Sequence, residues 1–209
     1  MSKKTLLKNH LNFENKIHDI IKYGLDIIND ELLHKSRKMT KNEKQIFLEA
    51  LLLRSCALWE NFLEDEVVYL IILEPETFKK YLGLTPKTRL NIKLVRAILY
   101  ADKYQDYHGL EQWQGYFNKI LDKSYNPFQK IPKERIQKII FTYKIRNYLS
   151  HYSDFSKKKL FDAYKKDYSY QKFLEPGVFL LKQRGINFEK LIHNFSLVSV
   201  SMKNSLGVK

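Results

Sequence analysis

The sequence predicts an all-α protein, and three observations lead to that fold class. The 209 residues include only 7 Gly and 5 Pro, about half of the usual share, so few tight turns are available for a many-stranded sheet. Apolar residues recur at helical spacing along most of the chain. A hydrophobic content of 44% is too high for a disordered chain and suits a buried core. From the length we expect one domain, spanning 1–209.

The first two helices have the clearest pattern. Apolar residues at helical spacing predict a helix over 5–37, and a polar break follows it. Thr40 and Glu43 form a capping-box pattern, which predicts the start of a second helix. That helix runs to about Leu73, where Glu74-Pro75 ends it. Because its middle is apolar nearly all round, we expect it to lie at the centre of the core.

The pattern is weaker from residue 76 to residue 126. Proline and glycine mark most of the boundaries there. The predicted elements are a short helix at Phe78–Leu82, a helix from Pro86 to Tyr104, a break at His108-Gly109, a helix over 110–123 and a turn at Asn126-Pro127.

The last third begins with a long amphipathic helix. Pro132 has the position of a first-turn proline, and the helix continues to about His151. The elements predicted after it are a loop at Ser153–Ser156, a short basic helix over 157–166, a chain break at Glu175-Pro176-Gly177 and a helix capped by Asn187 that ends near Leu206.

The charge distribution indicates an anionic partner. The formal net charge is +14, and residues 119–172 hold 14 Lys and Arg against 5 Asp and Glu, a net of +9. Nucleic acid is the first interpretation, an acidic membrane surface is the second, and an electrostatic contact between two copies also fits. A single Cys excludes an intrachain disulfide and a Cys-based zinc site. No apolar segment has transmembrane or signal-peptide length, so a cytoplasmic protein without membrane contact is expected.

A basic motif lies at the C-terminal end of the long helix, within this charged block. Arg146, the polar Asn147 and His151 lie in the stretch Tyr143–Ser153. An Arg fork can hold a phosphate oxygen and stabilise the charge that develops on phosphorus. A His can take the proton of a ribose 2′-OH or give one to the leaving oxygen. These residue types therefore suit metal-free cleavage of RNA. For the motif alone, ordinary complementation of a helix C-terminus is the simpler explanation, and the position of the motif in the basic block favours function.

Helical geometry limits how the motif can work. Arg146 and His151 are about 140° apart around a regular helix, whereas Asn147 and His151 share a face. Arg146 and His151 can meet if the helix loosens near Ser150, or if a second copy supplies the other half. Asn147 is then expected to orient the imidazole.

Two stretches resemble the HEPN superfamily over roughly residues 40–165. The first is Arg146-Asn147-x-x-x-His151, which is similar to its Arg-x(4–6)-His signature with a polar residue after the Arg. The second is Arg54–Asp65, which looks like the early-helix pattern of the RiboL-PSP-type and related groups found in bacterial defence systems. In this comparison 76–126 is a family-variable insert, and 173–209 is a C-terminal helical appendage.

The resemblance implies a HEPN-like helical bundle with extra helices, which dimerises so that two Arg/His motifs form one composite RNase site. Such proteins cleave RNA without a metal or other cofactor, through the 2′-OH, and act as toxins or antiphage effectors. Arg146 would hold the scissile phosphate, His151 would be the acid/base or a second phosphate contact, and Asn147 would orient it. Glu60 is a weaker assignment, as a carboxylate that holds the fork of Arg146. An antitoxin or a defence-complex protein is an implied partner.

Some members of the superfamily have no activity, so the alternative is a non-catalytic module that binds RNA or protein within such a complex. The side chains expected to contact RNA are Lys144, Tyr148, Tyr152, Lys157, Lys158 and Lys159. For the two tyrosines, packing at the dimer interface is the equal alternative. The remaining His residues show no arrangement typical of a metal site.

Overall fold

The chain folds as an all-α protein, as predicted. The computed structural model describes residues 2–30, 38–100 and 110–207, and these residues form helices and no strand. The helices are α1 (Lys3–Ile28), α2 (Lys41–Leu73), α3 (Glu76–Tyr81), α4 (Ile92–Tyr100), α5 (Leu110–Ile120), α6 (Lys133–His151), α7 (Asp154–Tyr168) and α8 (Pro176–Ser205), with 3₁₀ turns at Lys123–Tyr125 and Pro127–Lys130. None of the described helices combines the length and the apolar character needed to cross a membrane.

The predicted boundaries of α2 are confirmed. The Thr40 backbone N–H donates to Glu43 Oε2 at 2.7 Å, and the Glu43 N–H donates to Thr40 Oγ1 at 3.2 Å. These reciprocal bonds satisfy two N–H groups that a helix start leaves without partners. The helix ends at Leu73, immediately before Glu74-Pro75. The last part of the first predicted helix, residues 31–37, lies outside the described residues.

The predicted start of α4 at Pro86 is wrong. Residues 85–88 form a turn in which the Thr88 N–H donates to the Thr85 carbonyl at 3.0 Å. The helix begins at Ile92, because the Asn91 side chain accepts from the Leu94 N–H at 2.9 Å and caps it there. The Pro86 carbonyl instead accepts from Lys79 Nζ at 2.7 Å. The predicted helix end at Tyr104 and the break at His108-Gly109 lie outside the described residues.

The elements after α6 also differ from the prediction. Ser153 begins a helix rather than a loop, since its Oγ accepts from the Ser156 N–H at 3.2 Å. Pro176 opens α8 in place of the predicted chain break. The helical path is interrupted at residues 182–185, where Gln183, Arg184 and Gly185 all have positive φ. The Asn187 amide does not cap the last segment but donates to the Phe179 carbonyl at 2.9 Å.

The chain divides into two compact units. The first comprises residues 1–13, 59–136 and 198–209, and the second comprises 14–58 and 137–197. The core of the first unit includes Phe13 stacked on Phe62, with ring centroids 4.4 Å apart. The core of the second unit includes buried rings of α6, α7 and α8: Phe141, Tyr164 and Phe179. The Arg/His motif therefore belongs to the second unit.

A buried glycine in the second unit permits close packing of two helices. A Cβ atom added to Gly24 of α1 would lie 2.2 Å from Phe188 Cε1. We expect Gly24→Ala to lower the free energy of unfolding by about 1–3 kcal/mol, because overpacking outweighs the gain in helix propensity of about 1 kcal/mol. Urea unfolding followed by circular dichroism measures the change.

The matched control is Gly115→Ala in α5. Apart from its two chain neighbours and the backbone of its own helix, no atom of the described residues lies within 4 Å of an added Cβ there. This variant is expected to raise the free energy of unfolding by about 0.5–1 kcal/mol. Equal gains in the two variants would contradict the packing role of Gly24.

Candidate active site at the end of α6

α6 stays regular through His151 and ends sharply after it. The Tyr152 N–H donates to the Tyr148 carbonyl at 2.8 Å, which completes the last helical turn. Tyr152 then has a φ of +45°, in the left-handed region that usually holds glycine at this position. For a residue with a Cβ this conformation costs about 1–2 kcal/mol. Ser153 follows as the cap of α7, so His151 lies at a fixed corner between two helices.

Arg146 and Asn147 are joined by a hydrogen bond. Arg146 Nη1 donates to Asn147 Oδ1 at 3.1 Å, and both side chains are half-buried. Asn147 was expected to orient His151, yet among the described residues it makes no hydrogen bond to that ring. The side-chain oxygen of Asn147 instead restrains the guanidinium of Arg146. This contact engages one N–H group of the Arg fork and limits how the guanidinium can turn.

His151 is exposed and lies on the opposite side of the helix from Arg146. Since α6 does not loosen at Ser150, the two side chains stay about 140° apart. One chain therefore does not bring them onto a common face. Of the two routes expected from the sequence, only the supply of the second half by another copy remains as a prediction.

Tyr148 is a packing residue in this structure. Its side chain is only 5% exposed, so no base can stack on it. Its hydroxyl donates to Glu175 Oε2 at 3.1 Å. Burial, together with this hydrogen bond, raises the pKa of Tyr148 to about 12, so the phenol stays neutral at physiological pH. Tyr148 thus packs within its own chain, which is neither the RNA contact nor the dimer-interface packing expected from the sequence.

Tyr152 and the lysines of α7 are accessible. Tyr152 is 66% exposed, and Lys157, Lys158 and Lys159 are exposed on the first turns of α7. Lys144, on α6, is half-buried. Lys157 Nζ lies 4.9 Å from the centre of the Phe173 ring. The three exposed lysines of α7 therefore form a cluster shortly after His151.

Phe155 lies in the same cluster, and sequence reasoning missed it. It is 72% exposed in the first turn of α7, with Lys159 Nζ 5.4 Å from its ring centre. The available signal was an aromatic residue within the polar run Ser153-Asp154-Phe155-Ser156. Because that run was predicted as a loop, the side chain was not placed on a helix surface.

Glu60 belongs to an acidic group on α2. It lies in the first unit, whereas Arg146 lies in the second. Burial raises the pKa of the neighbouring Glu64; Arg96 lowers it, and the charges of Asp65 and Glu60 raise it. Arg96 pairs with Asp65 in this group. The pairing of Glu60 with Arg146 remains a prediction.

Comparison with models of known protein families, with curated proteins and with solved structures found no match to this chain. Within the described part of the chain, no group of three or more His, Cys, Asp and Glu side chains has an arrangement that could hold a metal ion.

Proposed function

We propose that this protein is a metal-independent endoribonuclease of the HEPN type that acts as a homodimer. The observation that carries the proposal is the end of α6, where Asn147 restrains Arg146 and where the exposed His151 is followed by the exposed lysines of α7. The divergence of Arg146 and His151 around one helix supports a site built from two copies. The all-α fold is compatible with the helical bundle that the resemblance implies.

The reaction is a transesterification at phosphorus. The 2′-oxygen of one ribose attacks the adjacent phosphorus and loses its proton to a base. The bond from phosphorus to the 5′-oxygen breaks, and that oxygen receives a proton from an acid. The products are a 2′,3′-cyclic phosphate and a 5′-hydroxyl end. His151 supplies the base or the acid, and Arg146 stabilises the extra negative charge on the phosphoryl oxygens.

Lys157, Lys158 and Lys159 attract the RNA backbone toward this site. Exposed lysines that neutralise phosphates release counterions and make binding weaker at high salt. Lys144, which lies on α6 with the motif, is a further cation that can contact the RNA. The biological role that fits is a cytoplasmic toxin or antiphage effector, which an antitoxin or a defence-complex protein holds inactive.

The experiment is cleavage of cellular RNA by the purified protein in EDTA, with product ends identified. We expect cleavage without metal, cyclic phosphate ends and no cleavage where the scissile position carries a 2′-deoxyribose. Cleavage of the 2′-deoxy substrate, or a strict need for a divalent cation, would contradict the mechanism. RNA binding without cleavage under all conditions would favour the alternative, a non-catalytic RNA-binding module.

A further inference from the structure

Two exposed aromatic side chains flank the end of α6. Phe155 and Tyr152, at 72% and 66%, are the most exposed large hydrophobic side chains of the described residues. They are three residues apart, on either side of the Ser153 cap, and Tyr152 directly follows His151. Aromatic surface exposed to this extent gains the free energy of burial only when a ligand or partner covers it.

Tyr152 is the outer member of a series of packed rings. Its ring centroid lies 5.3 Å from that of Tyr148, which in turn lies 5.3 Å from Phe173. Phe173 packs against the buried Tyr164, with centroids 6.0 Å apart. These contacts and the left-handed backbone hold the Tyr152 ring in one place. A ring that is already ordered loses little entropy when a planar group stacks on it.

Phe155 lies on a fixed turn of helix, beside a cation. Capping by Ser153 fixes the first turn of α7, and Lys159 Nζ lies 5.4 Å from the Phe155 ring centre. An aromatic face next to an ammonium group offers stacking to a base and charge to the attached phosphate. This surface thus has both features of single-strand binding surfaces. Tyr152 and Phe155 offer rings for stacking, and Lys159 offers positive charge.

Charge favours RNA over a second copy as the occupant of this surface. A two-fold interface centred on Tyr152 and Phe155 would place this patch of one copy against the same patch of the other. Here that would bring Lys157, Lys158 and Lys159 of both copies toward each other, which is repulsive. RNA offers both the planar bases and the negative charge that this surface lacks.

We propose that Phe155 and Tyr152 stack on bases next to the scissile phosphate, with Lys159 contacting the backbone, so that the enzyme takes RNA with unpaired nucleotides at the cleavage site. This inference rests on the proposed function, because it places the bases beside His151. A base within a duplex is already stacked on its neighbours, whereas a base in a loop or single strand has a free face.

The test uses a 2′-O-methyl RNA of about 12 nucleotides, as a single strand and as a duplex, which binds without being cut. Phe155→Leu is expected to weaken binding of the single strand by about 5- to 100-fold, without a change in salt dependence. Phe155→Trp keeps an aromatic ring and should bind the single strand about as tightly as the wild type. The fluorescence of the introduced tryptophan should fall when the single strand binds. Tyr23→Leu, at another exposed aromatic residue, is the matched control and should bind as the wild type does.

Three results would overturn the inference. If Phe155→Leu binds the single strand as tightly as a wild type that also cleaves RNA, the stacking site is wrong and the proposed function stands. If Phe155→Leu alters the oligomeric state in sedimentation while RNA affinity is unchanged, the surface joins two copies. If the wild type binds no RNA, both proposals fail.

Discussion

Replacing His151 with Ala is expected to lower the rate of RNA cleavage by about 10²–10⁴-fold, the usual contribution of a positioned acid or base. Arg146→Ala is expected to lower it by about 10²–10³-fold, because the charge that develops at phosphorus loses its main donor. Single-turnover assays with a defined RNA measure both losses. Thermal unfolding should change little for His151→Ala, since the side chain is exposed.

Two variants serve as controls for this prediction. His193→Ala removes an exposed imidazole of α8 and should leave cleavage unchanged. Arg146→Lys keeps the positive charge but loses the planar fork, so we expect activity between that of the Ala variant and that of the wild type. Wild-type rates in both His151→Ala and Arg146→Ala would rule out the assignment of these two residues.

His10→Ala is expected to lower the free energy of unfolding by about 3–5 kcal/mol, the largest stability effect that the structure predicts. His10 lies fully buried in the first unit, with Nε2 3.0 Å from Glu66 Oε1 and Nδ1 2.7 Å from Ser199 Oγ. Asn9 Nδ2 donates to the other oxygen of Glu66 at 3.1 Å. Removing the imidazole leaves a buried carboxylate without its main partner. Denaturant unfolding measures the loss.

A Ser–His–carboxylate series also occurs in hydrolases, but here it is structural. Ser199, His10 and Glu66 are all 0% exposed, so no substrate reaches the hydroxyl. His10→Phe separates the polar effect from loss of volume, because it keeps a ring beside Phe62 but cannot pair with Glu66. His18→Ala, at an exposed position of α1, should change stability by less than about 0.5 kcal/mol. A His10→Phe protein as stable as the wild type would contradict this account.

Local sequence signals were sufficient to predict a helix end where a side chain bonds to the backbone within one helical turn. The capping box of Thr40 and Glu43 sets the start of α2. The approximate limits of α6 were predicted in the same way, although Pro132 precedes the first helical residue rather than occupying the first turn. Such signals depend on neighbours in sequence, so tertiary structure does not change them.

The signals failed where one residue type serves two purposes. Ser153 is typical both of loops and of helix caps, and a proline such as Pro176 either interrupts a chain or opens a helix. The left-handed residues Gln183 and Arg184 have side chains that rarely adopt this conformation, so the interruption of α8 had no local signal beyond Gly185. A Cβ on Gly185 would lie 2.1 Å from Ile28 Cδ1, a contact that only the folded chain reveals.

In the candidate site, residue types and spacing could be predicted but burial could not. Arg146 and His151 occupy the positions on α6 that their spacing implies. Tyr148 and Tyr152 are equivalent in sequence terms, one helical turn apart. The left-handed turn at Tyr152 and the hydrogen bond of Tyr148 to Glu175 make one ring accessible and bury the other. Both depend on residues distant in the chain or on backbone conformation.

The central claim is that two copies of the chain build one RNA-cleaving site, and mixing two inactive variants tests it most directly. Arg146→Ala and His151→Ala proteins are prepared separately, mixed, allowed to exchange subunits and assayed on the same RNA. A mixed dimer has one intact His151 from one copy and one intact Arg146 from the other, so we predict that cleavage partly returns. A mixture that forms mixed dimers but stays as inactive as its components would contradict the shared site.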